Sequence, residues 1–282
     1  MLGSMSLAAH LTLEIAMIRI LCAAVLVLSL SGCGDDGGTA GGDGGGTTDS
    51  GTGSPADAAG GPDAYIPANC VAGPTQCSDC VDNDNDGRAD GFDPECTSAA
   101  DDREDSFATG ISGDNMDPNV QDCFFDGNSG GGNDGCNVAT CCFFDPTGPN
   151  CPQPPSASCT PSTQCIETCL PATIPGCDCF GCCEICNDGA CHVVMTNPAV
   201  APDCTLDVLG DPNLCPPCMQ VEACANPCGG CILCPGQTPD DLPASCSGVE
   251  CPNGAATCST TADCPTDQYC AGGCCIPQII IN

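Results

Sequence analysis

Residues 176–186 read Gly176-Cys177-Asp178-Cys179-Phe180-Gly181-Cys182-Cys183-Glu184-Ile185-Cys186, five cysteines in eleven residues, with Cys191-His192 close behind. The density continues along the chain: Cys215-Pro216-Pro217-Cys218, then Cys224, Cys228, Cys231 and Cys234. Of 282 residues, 34 are cysteine. A cysteine content above about 10 % marks a cross-linked scaffold. Whether the cross-links are disulfides or metal thiolates depends on the compartment, since thiols oxidise outside the cytosol and stay reduced inside it.

The N-terminus speaks to the compartment. From Met17 the chain reads MIRILCAAVLVLSLSGC, with Arg19 ahead of an apolar run from Ile20 to Leu30. That run is short for a spanning helix and suits a secretory signal. It ends in Leu30-Ser31-Gly32-Cys33, which resembles the lipobox of bacterial lipoproteins. The resemblance implies cleavage before Cys33 and lipidation of that cysteine. It also implies outer-membrane sorting, because Gly34 rather than aspartate follows it. Residues 1–16 then read as an overlong start.

With Cys22 removed in the signal and Cys33 acylated, 34 − 2 = 32 cysteines remain, an even number. Complete pairing would give 16 disulfides. The same segment carries 36 acidic residues against Arg88 and Arg103, and lysine is absent throughout. Such a charge repels nucleic acid and anionic head groups, and its natural small partners are cations. Membrane contact therefore falls to the lipid at Cys33, without polybasic help.

After Cys33, Leu, Ile, Val and Phe make up 33 of 249 residues. Below roughly 20 % a highly charged chain is expected to stay disordered. Ordering a residue costs about 1–2 kcal/mol of backbone entropy, which this apolar content cannot offset alone. Disulfides, at about 2–4 kcal/mol each, must take over the task of a core.

Residues 34–63 hold no cysteine and no aromatic and read as a flexible tether. From Cys70 onward proline and glycine are scattered throughout, and aspartate outnumbers glutamate 30 to 7 in the chain, which favours turns over helices. The predicted fold is small and disulfide-rich, mostly loops and short β-hairpins with little helix, behind a disordered N-terminal tether. Short strands are expected at His192–Met195 and Gln278–Ile281, and a helical turn at Met219–Cys224. The division expected is 1–32 signal, 33–69 lipidated cysteine and linker, 70–108 calcium-loop module, 109–245 cysteine-rich body and 246–282 C-terminal knob. Asp122-Cys123-Phe124-Phe125-Asp126 echoes Cys141-Cys142-Phe143-Phe144-Asp145, which suggests a small aromatic nucleus. The acidic loop Asp126–Asp134 between them lacks ligand spacing.

One motif carries definite chemistry: Asp82-Asn83-Asp84-Asn85-Asp86-Gly87-Arg88-Ala89-Asp90-Gly91-Phe92-Asp93. Oxygens at positions 1, 3 and 5 wrap a hard cation, glycine at 6 permits the bend, and positions 7, 9 and 12 complete the shell. The candidate ligands are Asp82, Asp84, Asp86, Arg88 through its carbonyl, Asp90 and Asp93. The spacing resembles the EF-hand loop, and more closely the DxDxDG calcium loops of thrombospondin-type and bacterial secreted repeats. The unit CSDCVDNDNDGRADGFDPEC looks like the short metal-binding repeat C-x-D-G-x-D-N-D-x-D-G-x-x-D…D-P-x-C of bacterial surface proteins. The resemblance implies Ca2+ as the bound ion. Cys80 stands where that repeat has glycine, and Asp93 replaces the usual glutamate. Neither flank is a good helix, so Cys77 and Cys96 are expected to clamp the loop ends.

The cysteine clusters admit other readings. In a cytosolic protein the C-x-C and C-x-x-C spacings would read as thiolate metal sites. In an exported chain they read as disulfides, with neighbouring pairs (Cys141-Cys142, Cys182-Cys183, Cys274-Cys275) bonded to different partners. Cys215–Cys218 lacks the βαβ context of a thiol–disulfide oxidoreductase. His192 is the only histidine after Cys33, which removes most capacity for general base catalysis near neutral pH. The spacing of Cys258, Cys264, Cys270, Cys274 and Cys275 looks like the knotted modules of secreted inhibitors and cysteine-rich ligands. The expectation is a non-enzymatic, lipid-anchored envelope protein with a structural or adhesive role, toward an unknown protein or surface ligand. A thiolate metal-sequestering protein and a protease-inhibitor-like binding module are the alternatives.

Overall fold

The computed structural model describes residues 64–109, 117–126, 134–149, 151 and 159–279. The signal, Cys33 and the tether at 34–63 lie outside the described residues. No helix among the described residues is long and apolar enough to cross a membrane.

Secondary structure is sparse, as proline, glycine and aspartate dictate. Three antiparallel strand pairs occur among the described residues: β1 (Val120–Gln121) with β2 (Val138–Ala139), β3 (Cys182–Asn187) with β4 (Ala190–Met195), and β5 (Gln268–Ala271) with β6 (Cys274–Pro277). The strand expected at His192–Met195 is the body of β4. That expected at Gln278–Ile281 is displaced: β6 ends at Pro277, and residues 280–282 lie outside the described residues. The β3–β4 turn is Asp188-Gly189 and the β5–β6 turn is Gly272-Gly273, all four at positive φ. Two consecutive left-handed residues give the hairpin turn whose twist matches that of the strands. Each of these hairpins sets two cysteines opposite each other, Cys186 facing Cys191 and Cys270 facing Cys275.

α1 (Thr163–Cys169) is the single α-helix among the described residues. Ser162 caps it, its hydroxyl accepting the Cys165 amide at 3.0 Å. Seven residues are too few for a stable isolated helix. The helix is instead fastened through Cys165 and Cys169, four apart and so on one face, which bond to Cys136 and Cys123. The turn expected at Met219–Cys224 is a 3-10 turn at Glu222–Cys224.

Fifteen disulfides join the described residues. Adjacent cysteines do take different partners: Cys141 with Cys151 and Cys142 with Cys159, Cys182 with Cys218 and Cys183 with Cys177, Cys274 with Cys251 and Cys275 with Cys264. The C-x-x-C cysteines are likewise split, Cys215 to Cys204 and Cys218 to Cys182. Among the described cysteines the bonds fall into five consecutive blocks: 70–96, 123–169, 177–218, 228–246 and 251–275. No bond joins one block to another.

Complete pairing into 16 bonds is not reached, because Cys179 and Cys224 are unbonded. Asp178 and Ala225 form an antiparallel bridge, which sets these two buried thiols side by side. The contact with Cys224, then burial, pushes the Cys179 thiol up, so it stays protonated and unreactive. Thiol titration of the denatured, unreduced protein is expected to find two thiols per described chain, and a count of zero would replace this pair with a sixteenth bond.

Two apolar clusters form the interior. One joins Phe107, Ile174, Ile185, Val194, Leu206, Leu209, Tyr269 and Ile276, drawn from the 70–108, 109–245 and 246–282 segments alike. In the other, nine of thirteen buried members are cysteines, packed around Phe143, Phe180, Met195 and Val138. Sulfur occupies the volume that aliphatic side chains fill elsewhere. The echoed Phe-Phe pairs divide between the interior and its edge: Phe124 stacks edge-on with Phe125, Phe143 meets Phe180 at 5.1 Å, and Phe144 is exposed.

Candidate metal centre

The aspartate-rich segment folds as a tight loop built by its own carboxylates. Asp82 is buried and accepts three backbone N–H groups, Asn85 (2.7 Å) and Asp86 (3.2 Å) on Oδ1 and Gly87 (3.1 Å) on Oδ2. Asp84 Oδ1 accepts the Asp86 amide at 3.1 Å and Asp86 Oδ1 the Arg88 amide at 2.8 Å. The reversals come at Asn85 (φ 67°) and Gly87 (φ 98°), where left-handed backbone is needed and glycine or asparagine supplies it most cheaply. Each carboxylate oxygen that accepts one N–H keeps a lone pair for a cation.

The loop ends are clamped by the Cys77–Cys96 disulfide, with 3-10 turns at Gln76–Ser78 and Asp90–Phe92 in place of EF-hand helices. Cys80 adopts φ 65°, a left-handed conformation that favours glycine, and it bonds to Cys70. Packing fixes the loop from outside. Gly91 lies so close to the Cys270 carbonyl that an added Cβ would collide with it, and the Gly91 carbonyl accepts the Gly272 amide at 2.7 Å. Arg88 Nε donates to the Gly236 carbonyl (3.1 Å), and the Tyr269 hydroxyl donates to the Thr97 carbonyl.

The structure places the six predicted residues unequally. Asp82, Asp84 and Asp86 share the loop interior, and Asp93 joins them from position 12. Asp93 is 3 % exposed; its Oδ1 accepts the Glu95 amide at 2.7 Å, while its Oδ2 is buried with no hydrogen-bond partner. Asp90 is turned elsewhere, both its oxygens accepting the Cys80 amide at 3.2 Å and Oδ2 lying 3.4 Å from the Cys70 sulfur. The Arg88 side chain reaches back to Asp86 at 3.5 Å.

Two carboxylates outside the twelve-residue motif complete the cluster. Glu104, fully buried, accepts the Asn83 amide on Oε2 (2.6 Å) and the Asp90 amide on Oε1 (2.8 Å). An oxygen of Glu104 and one of Asp93 lie within 4.8 Å of each other. Glu95, also buried, accepts the Leu206 amide at 3.4 Å and feels the charges of Asp84 and Asp86. Sequence spacing could not find these two, since they belong to no repeat position. The only signal was glutamate in a segment otherwise served by aspartate.

The electrostatics are those of carboxylates crowded together out of water. Burial first, then neighbouring carboxylates, raises Asp84 to about 6 and Glu95 to about 8. Glu104 is pushed up to about 8, chiefly by burial against two amide donors that oppose it. Asp93 is driven well above the usual carboxylate range by burial and by Asp86, Glu95 and Glu104. Arg88 is the one basic side chain in the cluster; Arg103 pairs with Asp105 in solvent. Clustered buried carboxylates with one arginine cannot all ionise, whereas a hard divalent cation with oxygen ligands relieves both burial and repulsion. The donor set fits that chemistry through Asp82, Asp84, Asp86 and Asp93, with Glu95 and Glu104 beside them. The sulfur groups Cys141/Cys142/Cys151 and Cys258/Cys264/Cys275 are disulfide sulfurs and offer no thiolate.

No protein family, no curated protein and no solved structure matches this chain.

Proposed function

We propose that this chain is a non-enzymatic bacterial envelope lipoprotein, anchored through lipid at Cys33 on the outer membrane, whose disulfide-rich body carries a Ca2+ site and serves a structural or adhesive role. The observation behind the calcium assignment is the unpartnered Asp93 Oδ2, buried among Asp86, Glu95 and Glu104 at the end of a DxDxDG loop. The sequence Leu30-Ser31-Gly32-Cys33 supports the anchor, and the mature charge, with no lysine, supports a partner other than nucleic acid. A thiolate metal store is the weaker reading, because only Cys179 and Cys224 keep free sulfur among the described cysteines. The C-terminal bonds Cys251–Cys274, Cys258–Cys270 and Cys264–Cys275 leave an inhibitor-like knob open as a binding element.

Calorimetric titration of the full chain with CaCl2 is expected to show binding at about 10⁻⁴–10⁻³ M, the range of extracellular calcium modules. Asp84→Ala, which removes a ligand and leaves the three amide bonds of Asp82 in place, is expected to abolish binding at this loop. Mass spectrometry of the N-terminal peptide should find Cys33 acylated. Absence of calcium heat up to millimolar concentration, or an N-terminus other than Cys33, sinks the corresponding half of the proposal.

A further inference from the structure

A second acidic cluster lies in the 123–169 block, away from the DxDxDG loop. Asp122, Asp126 and Asp134 are all buried, at 3 %, 0 % and 0 % exposure. The Asp122 carboxylate faces both others and stands at hydrogen-bonding range of Asp134. Asp122 Oδ1 accepts the Cys123 amide (3.0 Å) and Asp134 Oδ1 the Cys136 amide (2.9 Å). Their other oxygens, Asp122 Oδ2 and Asp134 Oδ2, are buried with no partner. Leaving a buried acceptor unsatisfied costs about 1–3 kcal/mol, and more when it is charged. Two such oxygens beside a third buried carboxylate call for a positive charge among them, a shared proton or a cation.

No side chain supplies it. Arg88 and Arg103, the only basic residues after the signal, are engaged at Gly236 and Asp86 and at Asp105. His192 is on β4 opposite Ile185. The nearby cysteines, Cys123 and Cys136, are bonded to Cys169 and Cys165 and have no thiolate to offer. The three carboxylates offer oxygen donors, which select a hard cation over zinc or copper.

We propose that Asp122, Asp126 and Asp134 form a second binding site for a hard divalent cation of the calcium class, independent of the loop at residues 82–93. The three residues are brought together by the β1–β2 pair and by the disulfides that tie Cys123 and Cys136 to α1. The Ser162 hydroxyl that caps α1 also donates to the Gly135 carbonyl at 3.0 Å, holding the Asp134 end in place. The cation would join residues 122, 126 and 134 as a non-covalent cross-link inside a block already held by four disulfides.

The test is calorimetric stoichiometry with CaCl2 on the full chain, in three forms. Wild type is expected to bind two ions. Asp84→Ala is expected to keep one, the site proposed here. Asp122→Asn/Asp134→Asn is expected to keep the other, with affinity at the lost site down by roughly tenfold or more, since ligand charge sets affinity. The asparagine oxygens can still accept the Cys123 and Cys136 amides, so folding should survive. In chelator the double variant is expected to melt above wild type, because like-charge repulsion is gone. Asp134→Asn alone repeats both readouts if the double variant does not accumulate. Two ions bound by the double variant, or no ion bound by Asp84→Ala, overturns the second site and leaves the first standing. A wild type that binds one ion, lost only in the double variant, overturns the loop reading instead.

Discussion

Full reduction is expected to eliminate cooperative unfolding of residues 64–279, leaving a chain with the dimensions and far-ultraviolet spectrum of a coil. On the loop-closure estimate, a bond spanning 6 residues, such as Cys228–Cys234, contributes roughly 2 kcal/mol, and the 46-residue Cys123–Cys169 bond roughly 4 kcal/mol. The whole stability of an ordinary domain is only about 5–15 kcal/mol. Losing all fifteen such bonds far exceeds that. The apolar clusters cannot compensate, since in one of them most members are the sulfurs themselves. A sigmoidal denaturant transition under complete reduction would show that the aliphatic residues suffice, and would contradict the account.

The second large effect is a calcium-dependent reversal of the pH profile. In chelator, the guanidinium midpoint is expected to fall as pH rises from about 5 to 8. Glu95 and Glu104 have ordinary values of 4.5 and lie near 8 in the fold. Between those values the unfolded chain has released protons that the folded chain still holds. Stability is therefore full below the unfolded value and is lost as pH rises through the folded one, by at most about 1.4 kcal/mol per pH unit for each carboxyl. Millimolar Ca2+ should cancel the fall, since the ion binds the ionised form and competes with protons more weakly as pH rises. Glu95→Gln, which can still accept the Leu206 amide, should flatten the chelator profile. A midpoint independent of pH in chelator would mean that water or an unseen cation already serves these carboxylates.

Much of the architecture was legible because cysteine and aspartate obey local rules. Adjacent cysteines cannot easily bond to each other, which foretold the split partners of Cys141-Cys142, Cys182-Cys183 and Cys274-Cys275. The poor helical character of the loop's flanks foretold the clamp Cys77–Cys96. The body of β4, His192–Met195, followed from local propensity. What could not be read was set by contacts distant in sequence. Glu104 enters the cluster through amides of Asn83 and Asp90, and Asp90 leaves it for the Cys80 amide. α1 carries no long apolar period and exists because two disulfides fasten one face. Parity predicted 16 bonds, but parity concerns numbers and not the burial that keeps Cys179 and Cys224 as thiols.

The five disulfide blocks bear on how such a chain can find its pairing at all. Their cysteines number 4, 8, 8, 4 and 6. Four cysteines allow 3 pairings, six allow 15 and eight allow 105. A chain that emerges from its N-terminal end and oxidises as it goes therefore meets five small searches in succession, never one search among all its sulfurs. Each block can be sealed before the next arrives, and the junctions between blocks are left to hydrogen bonds and packing, as where Gly91 meets Cys270 and Gly272.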